Sequence, residues 1–421
     1  MSKLTEKFKN SRLSQNVAAL VALKGADYLL NFLMFPFLLR MLGPERFGAI
    51  VFMQSIVQYF VIVTDYGFNM TAPRDIARAE SNSQIGKIFV NVMSAKIIMI
   101  VGICILSGVV IFFMPTSAEF DFLLFLAVMP LALGNIAFPV WFFQGIQQMK
   151  YITISSVIAR TLLLILMILT ISAPEDYLLA ALLLSSMPVV SGLLSFQIIL
   201  RKYKFVFVRP DIDGIIKTIR DGWQIFLSTV AINLYTNTNI VILGLFTNST
   251  VVGYFGAASK LVDSLKGLMG AITQAVYPHV SSKLKISVDE TILFIKRFTK
   301  YYTGLFFVIS LSLFLLAEPV IKILFGDSYD DSIIILRLLS WLPFIISFSQ
   351  VYGIQVLLNF GMQSTFSKIL ICAAAFDLAI VLPLTYFFGE LGVAFTMVAV
   401  EIVVTFATRH YAKKAFAKVQ R

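Results

Sequence analysis

The sequence predicts an all-α integral membrane protein, with twelve transmembrane helices in two pseudo-symmetric six-helix bundles around a central cavity. Three observations lead there. Of 421 residues, 58% are hydrophobic and only 14% charged, whereas soluble domains carry about 25% charged residues. Apolar runs long enough to cross a hydrocarbon core of about 30 Å recur along the chain, and their continuity excludes the short alternating strands of a barrel. Finally, with a cytoplasmic N-terminus, 25 of the 34 Lys and Arg residues fall in cytoplasmic tails and loops, as the positive-inside rule requires. The net charge of +11 is therefore a topology signal and no mark of nucleic-acid binding, and both termini are placed in the cytoplasm.

The first span, 15 to 40, follows the basic stretch "MSKLTEKFKNSRLSQN". It is too long for a leader, contains Lys24 and Asp27, and lacks a small-residue cleavage site, so it reads as a retained helix. Lys24, Asp27 and Asn31, spaced 3 and 4, share one face. The second span, 47 to 70, carries Gln54, Gln58 and Asp65 on one face. Spans three (86 to 114) and five (151 to 173) add single cations, Lys96 and Arg160, on either side of span four (120 to 146). After span six (177 to 201) the basic connector "RKYKFVFVRPDIDGIIKTIR" divides the chain into lobes at 1–205 and 206–421.

Span seven, 218 to 246, contains Asn233 and Asn237. Span eight, 251 to 278, includes "GAASKLVDSLKGLMGAITQAVY", where Lys260, Asp263, Gly267, Gly270 and Gln274 form one helical stripe with Lys266 at its edge. A charge at the bilayer centre costs about 2.5 to 3.5 kcal/mol, so lipid cannot cover that face. Either the charges pair off at a tight helix contact that the glycines permit, or the face lines a hydrated cavity. Two lysines against one aspartate leave a surplus cation, which favours the cavity. Spans nine to twelve follow at 297 to 317, 332 to 360, 365 to 388 and 391 to 412. The last two hold Asp377 and Glu401, carboxylates with no basic residue within one helical turn. Each is a candidate proton or sodium site, or a protonated acid in an interhelical hydrogen bond; Asp27 is the parallel candidate in the first half. Arg40, Arg337 and Lys368, near helix ends, can snorkel to the interface and receive no role.

The halves repeat weakly. A shift of 205 residues aligns Gly48 with Gly253 and Pro73 with Pro278, and "QGIQQMK" matches "FGMQSTF" at a shift of 216. Six spans per half give a parallel repeat about an axis along the membrane normal. Enzymatic alternatives find little support. Cys104 and Cys372 lie inside spans and form no framework, His279 and His410 are far apart, and no phosphate-binding loop, GxSxG or HExxH occurs. No non-spanning segment reaches the roughly 50 residues of a catalytic domain. The expectation is a transporter without cofactor or metal.

The stretches "FGAIVFMQSIVQYFVIVTDYGFNMTAPRDIAR" (47–78) and "PVWFFQGIQQMKYITISSVIAR" (139–160) resemble the Wzx-type O-antigen flippases. Those belong to a larger exporter superfamily with the MATE drug antiporters and the lipid II flippases. The resemblance implies a bacterial inner-membrane transporter. It would turn an undecaprenyl-pyrophosphate-linked oligosaccharide from the cytoplasmic to the periplasmic leaflet by alternating access, driven by a proton or sodium gradient. It further implies cavity cations, matched here by Lys24, Lys96, Arg160, Lys260 and Lys266, of which only Arg160 lies in a quoted motif. Lys and Arg suit a pyrophosphate, while Asn31, Gln54, Gln58, Asn233, Asn237, Gln274 and Asp263 suit sugar hydroxyls. The chain would act as a monomer in membrane lipid, beside other polysaccharide assembly proteins. A drug or metabolite antiporter on the same scaffold is the main alternative and would prefer an acidic cavity. A polymerase or ligase would need a large outer loop, and the longest, "EPVIKILFGDSYDD", has fourteen residues.

Overall fold

A computed structural model describes residues 12–112, 121–203, 209–284 and 286–419, with side chains from Leu33 onward apart from a few positions, most of them in 224–236. Every regular element among them is helical. In chain order they are α1 (Arg12–Asp65), α2 (Phe68–Ala77), α3 (Asn82–Phe112), α4 (Phe122–Val128), α5 (Pro130–Ala137), α6 (Val140–Gly145), α7 (Lys150–Thr170), α8 (Tyr177–Ser185) and α9 (Met187–Lys202). Then come α10 (Ile212–Phe246), α11 (Ser249–Leu284), α12 (Val288–Leu315), α13 (Ala317–Leu324), α14 (Ser332–Leu339), α15 (Leu342–Gln350) and α16 (Gln363–Val419), with 3₁₀ turns at Pro174–Asp176 and Asp327–Tyr329 and a π-helix at Val351–Leu358.

Glycine and proline decide where apolar runs become separate rods. α1 is broken at Gly43 (φ 69°) and α16 at Gly389 (φ 55°), backbone angles that glycine adopts without steric cost. Pro44 then opens the second arm of α1, where its missing N–H removes no helical hydrogen bond. The predicted fourth span is divided into α4, α5 and α6 at Pro130 and Pro139, because a proline cannot continue the ladder behind it. Polar loop residues fix the ends: the Asp121 carboxylate accepts from the Leu124 N–H at 2.9 Å and from the Tyr177 hydroxyl at 2.9 Å, and the Ser287 hydroxyl caps α12.

Among the described residues eight stretches are long and apolar enough to cross a membrane, so the protein is all-α and multi-pass. The count of twelve is not reached, for identifiable reasons. Most of the first predicted span lies outside the described side chains, and the two arms of α16 form one continuous stretch. In α10 the described side chains are interrupted within 224–236, so only Asn237–Phe246 is counted there. α11 is long enough, at 36 residues, but too polar.

The chain forms two compact units, one of Met1–Phe37 and Met53–Thr229, the other of Leu38–Phe52 and Val230–Arg421. The first is built on an aromatic core in which Phe68, Trp141, Phe142 and Phe143 are fully buried. These residues belong to the two stretches that carry the family resemblance, so much of that signature is packing. Tyr66, with φ 43°, stacks on Phe226 at 4.4 Å between ring centroids. A positive φ is strained for a bulky side chain, and the bend it makes ends α1 at Asp65.

In the second unit the outer arm of α1 crosses the start of α11. A Cβ on Gly48 would run into the Ser249 carbonyl oxygen, and one on Gly253 into the Pro44 carbonyl oxygen. The 205-residue shift maps Gly48 onto Gly253 and Pro44 onto Ser249, so the contact is reciprocal, as between two copies related by a two-fold axis. One expectation needs correction here. Arg40 has a structural role: its Nε donates to the Leu324 carbonyl at 2.9 Å and an Nη to that of Ile323, capping the last carbonyls of α13.

Candidate functional site

α11 has one packed side and one open side. On the packed side, the Tyr302 hydroxyl lies 2.9 Å from Gln350 Oε1 and 3.2 Å from the Met269 carbonyl oxygen, and Gln355 donates to the Thr273 carbonyl at 2.8 Å. On the other side Asp263 and Gln274 are exposed, and a Cβ on Gly270 would meet nothing within 4 Å. A tight helix contact would put neighbouring atoms against that glycine. At Gly270 the stripe is therefore open rather than a glycine-lined seam, and the charges on this face exclude lipid as its cover.

The charges on this face are arranged in sequence and across helices. Lys266 Nζ donates to Asp263 Oδ1 at 3.2 Å, one helical turn apart. Lys260 is half-buried and sits in the field of Asp263. From α16, Glu401 lies within electrostatic reach of Lys266. This revises the surplus-cation argument, since the second lysine has a counter-charge that is remote in sequence. Lys260 and Lys266 thus share this face with two acidic side chains, Asp263 and Glu401, and the basic residues no longer outnumber the acids near them.

A second polar arrangement in the same unit joins α10 to α16. Asp377 is 1% exposed and accepts a hydrogen bond from Asn239 Nδ2 at 3.1 Å, while its Oδ2 is buried without a hydrogen-bond partner. Asn233 and Asn237 are half-buried on α10. The sequence reading named those two and passed over Asn239, which projects from a different side of the helix.

In the first unit Lys96 is 1% exposed, and its ammonium donates to Asp65 Oδ1 at 3.0 Å. Asn135 Nδ2 donates to the same oxygen at 2.9 Å. α1, α3 and α5 thus meet at one buried charge pair, and Lys96, expected as a ligand-facing cation, is occupied by Asp65. Asn135 was missed, although it is the one amide in the apolar run "PLALGNIAF". Gln54 Nε2 reaches Ser185 Oγ at 3.4 Å, Gln58 is half-buried, and Arg160 Nε lies 3.1 Å from Met187 Sδ. Lys24, Asp27 and Asn31 lie on α1, and their side chains are outside those described. No cluster of three potential metal ligands occurs among the described residues.

An all-helical chain in two units, with ion pairs inside apolar helices, has known counterparts. The profile of the polysaccharide biosynthesis protein family matches residues 13–284. The chain belongs to that family. A family relative in Escherichia coli (strain K12), described as a candidate O-antigen transporter, is 36% identical over 394 residues, covering 93% of this chain and 95% of the relative. A Shigella dysenteriae protein with the same description is 29% identical, covering 93% and 98%. In fold, the chain is similar to an inward-facing multidrug resistance MATE family transporter of the MOP superfamily, with TM-score 0.73, 16% identity and coverage of 93% and 95%. It is equally similar to the lipid II flippase MurJ in its inward closed conformation, with TM-score 0.73, 15% identity and coverage of 95% and 90%. At such identities these structures establish the fold alone. The family relatives are transporters, not enzymes, in keeping with the expectation from sequence.

Proposed function

We propose that this protein is a flippase moving undecaprenyl-pyrophosphate-linked O-antigen repeat units from the cytoplasmic to the periplasmic leaflet of a bacterial inner membrane. The observation that carries the reading is the open, charged face of α11 within an apolar helical chain. The descriptions of the curated relatives support the substrate class. In this reading the chain crosses the membrane twelve times, with both termini cytoplasmic, and lobes 1–205 and 206–421 open alternately as a monomer. Lys260 and Lys266, with Lys24, receive the pyrophosphate, and Arg160 is a further contact. A pyrophosphate competes with Asp263 for Lys266, because charge-assisted hydrogen bonds to phosphate oxygens are strong. Gln54, Gln58, Asn31, Asn233, Asn237 and Gln274 contact sugar hydroxyls. The tail stays in lipid.

Replacing Lys24, Lys260 and Lys266 together with alanine should lower surface polysaccharide at least tenfold at unchanged protein level, the scale of losing one or two charge-assisted contacts. Wild-type export by the triple variant would refute the assignment. Because the same fold carries multidrug transporters, uptake of cationic dyes by vesicles is the comparison, and dye transport without movement of lipid-linked sugar favours the antiporter.

Coupling to a proton or sodium gradient is assigned to Asp377, with Glu401 and Asp27 as the other candidates. A buried carboxylate oxygen lacking a partner is costly as a bare charge, and binding a proton or cation relieves that cost. Asp377→Asn keeps the size and a hydrogen-bonding group facing Asn239. It should give a folded protein whose transport in vesicles no longer responds to an imposed gradient; an unchanged response removes Asp377 from this role.

A further inference from the structure

On the second unit, α15 and the second arm of α16 form a groove of about 200 Å³. Its walls are Phe344 and Phe348 on one side and Ile402 and Phe406 on the other, with Arg409 at one end. The Thr405 hydroxyl, the polar side-chain group of the floor, donates to the Ile345 carbonyl at 3.1 Å, so it ties the helices together and leaves the interior apolar. Phe406 is 66% exposed, so the groove is open along one wall of an apolar helix.

The order of residues along α16 says what would fit. Ile402, Phe406, Arg409 and Lys413 recur at spacings of 4, 3 and 4, so they share one face, about 16 Å long at 1.5 Å per residue. That face runs from apolar to cationic toward the C-terminal end of the helix. Arg409 and Lys413 are both exposed. Glu401 is the last acidic residue of the chain, and no acid occurs between Ser332 and Phe376, so neither helix wall supplies a counter-charge beside Arg409. A groove this small is below the roughly 300 Å³ at which pockets for compact ligands begin. It suits a single hydrocarbon chain and excludes a sugar-bearing head.

We propose that this groove is a binding site for an anionic phospholipid, one acyl chain lying between Phe348 and Phe406 and the phosphodiester held by Arg409 and Lys413. The ligand belongs to the leaflet at the C-terminal end of α16 and is distinct from the transported molecule. A guanidinium presents several donors to phosphate oxygens, and a basic residue near a membrane surface favours an anionic lipid by about fivefold.

The test uses the full-length chain in nanodiscs containing phosphatidylethanolamine, phosphatidylglycerol and undecaprenyl phosphate, with the lipid that stays bound on extraction identified by mass spectrometry. The expected result is retained phosphatidylglycerol, reduced about fivefold by Arg409→Gln. Ile402→Trp, which fills the groove from a partly exposed position, should abolish retention whatever the head group. Equal retention of phosphatidylethanolamine, retention unaffected by either substitution, or undecaprenyl phosphate in place of phosphatidylglycerol overturns the proposal. The last outcome would make the groove part of the substrate path.

Discussion

Asp65→Ala should destabilise the protein by about 3 kcal/mol, the lower end of the range for breaking a buried ion pair from one side. The lower end applies because Asp65 keeps 24% of its side chain exposed while Lys96 keeps 1%. Loss of the carboxylate strands an ammonium in an apolar interior and takes away the acceptor of Asn135. The double variant Asp65→Ala, Lys96→Met should recover most of the loss, since the penalty comes from the uncompensated charge and not from absence of the pair. Melting of the four members of this cycle in detergent measures the coupling. If the double variant is no more stable than Asp65→Ala, the pair does not hold α1 to α3 in the way described.

The crossing of α1 and α11 should be less forgiving. A methyl group at Gly48 or Gly253 meets a backbone carbonyl oxygen, and backbone cannot step aside as a flexible side chain can. Gly48→Ala and Gly253→Ala should each cost at least the roughly 1–3 kcal/mol of ordinary overpacking. The two contacts share one crossing, so once either substitution has spread the helices the second should cost less than it does alone. Gly270→Ala is the internal comparison. Its Cβ enters open space, and alanine is the better helix former by about 1 kcal/mol, so this variant should melt at or above wild type. A destabilised Gly270→Ala would mean that the face is packed, which would remove the chief support for the proposed transport site.

Legibility in the sequence followed the range of the interaction. The membrane class, the break between the first two spans at Gly43 and Pro44, and the stripe on α11 are local patterns of residue type and spacing; Pro130 and Pro139 are equally local signals, but span four was read straight through them. The Lys266–Asp263 pair was open to the same reading, because its members are three residues apart. Lys96 with Asp65, Asn239 with Asp377, and Glu401 near Lys266 were not. Their separations, 31 residues for the first and 138 for the second, span whole helices, and nothing in helical periodicity says which rods become neighbours. Arg40 shows the same limit: it was read as snorkelling because its partners, the carbonyls of Ile323 and Leu324, are brought near by packing alone.

Composition and spacing alone place this chain in a bilayer, predict helices for its spans, and show that some of them carry charges that lipid would reject, because hydrophobicity and helical period are properties of short segments. The sequence also held the 205-residue shift that pairs Gly48 with Gly253. That these two glycines meet, that the buried Lys96 is spent on Asp65, and which face of α11 is left uncovered emerge from packing. Those outcomes depend on side chains from distant helices competing for the same surface, and that competition is settled when the helices pack.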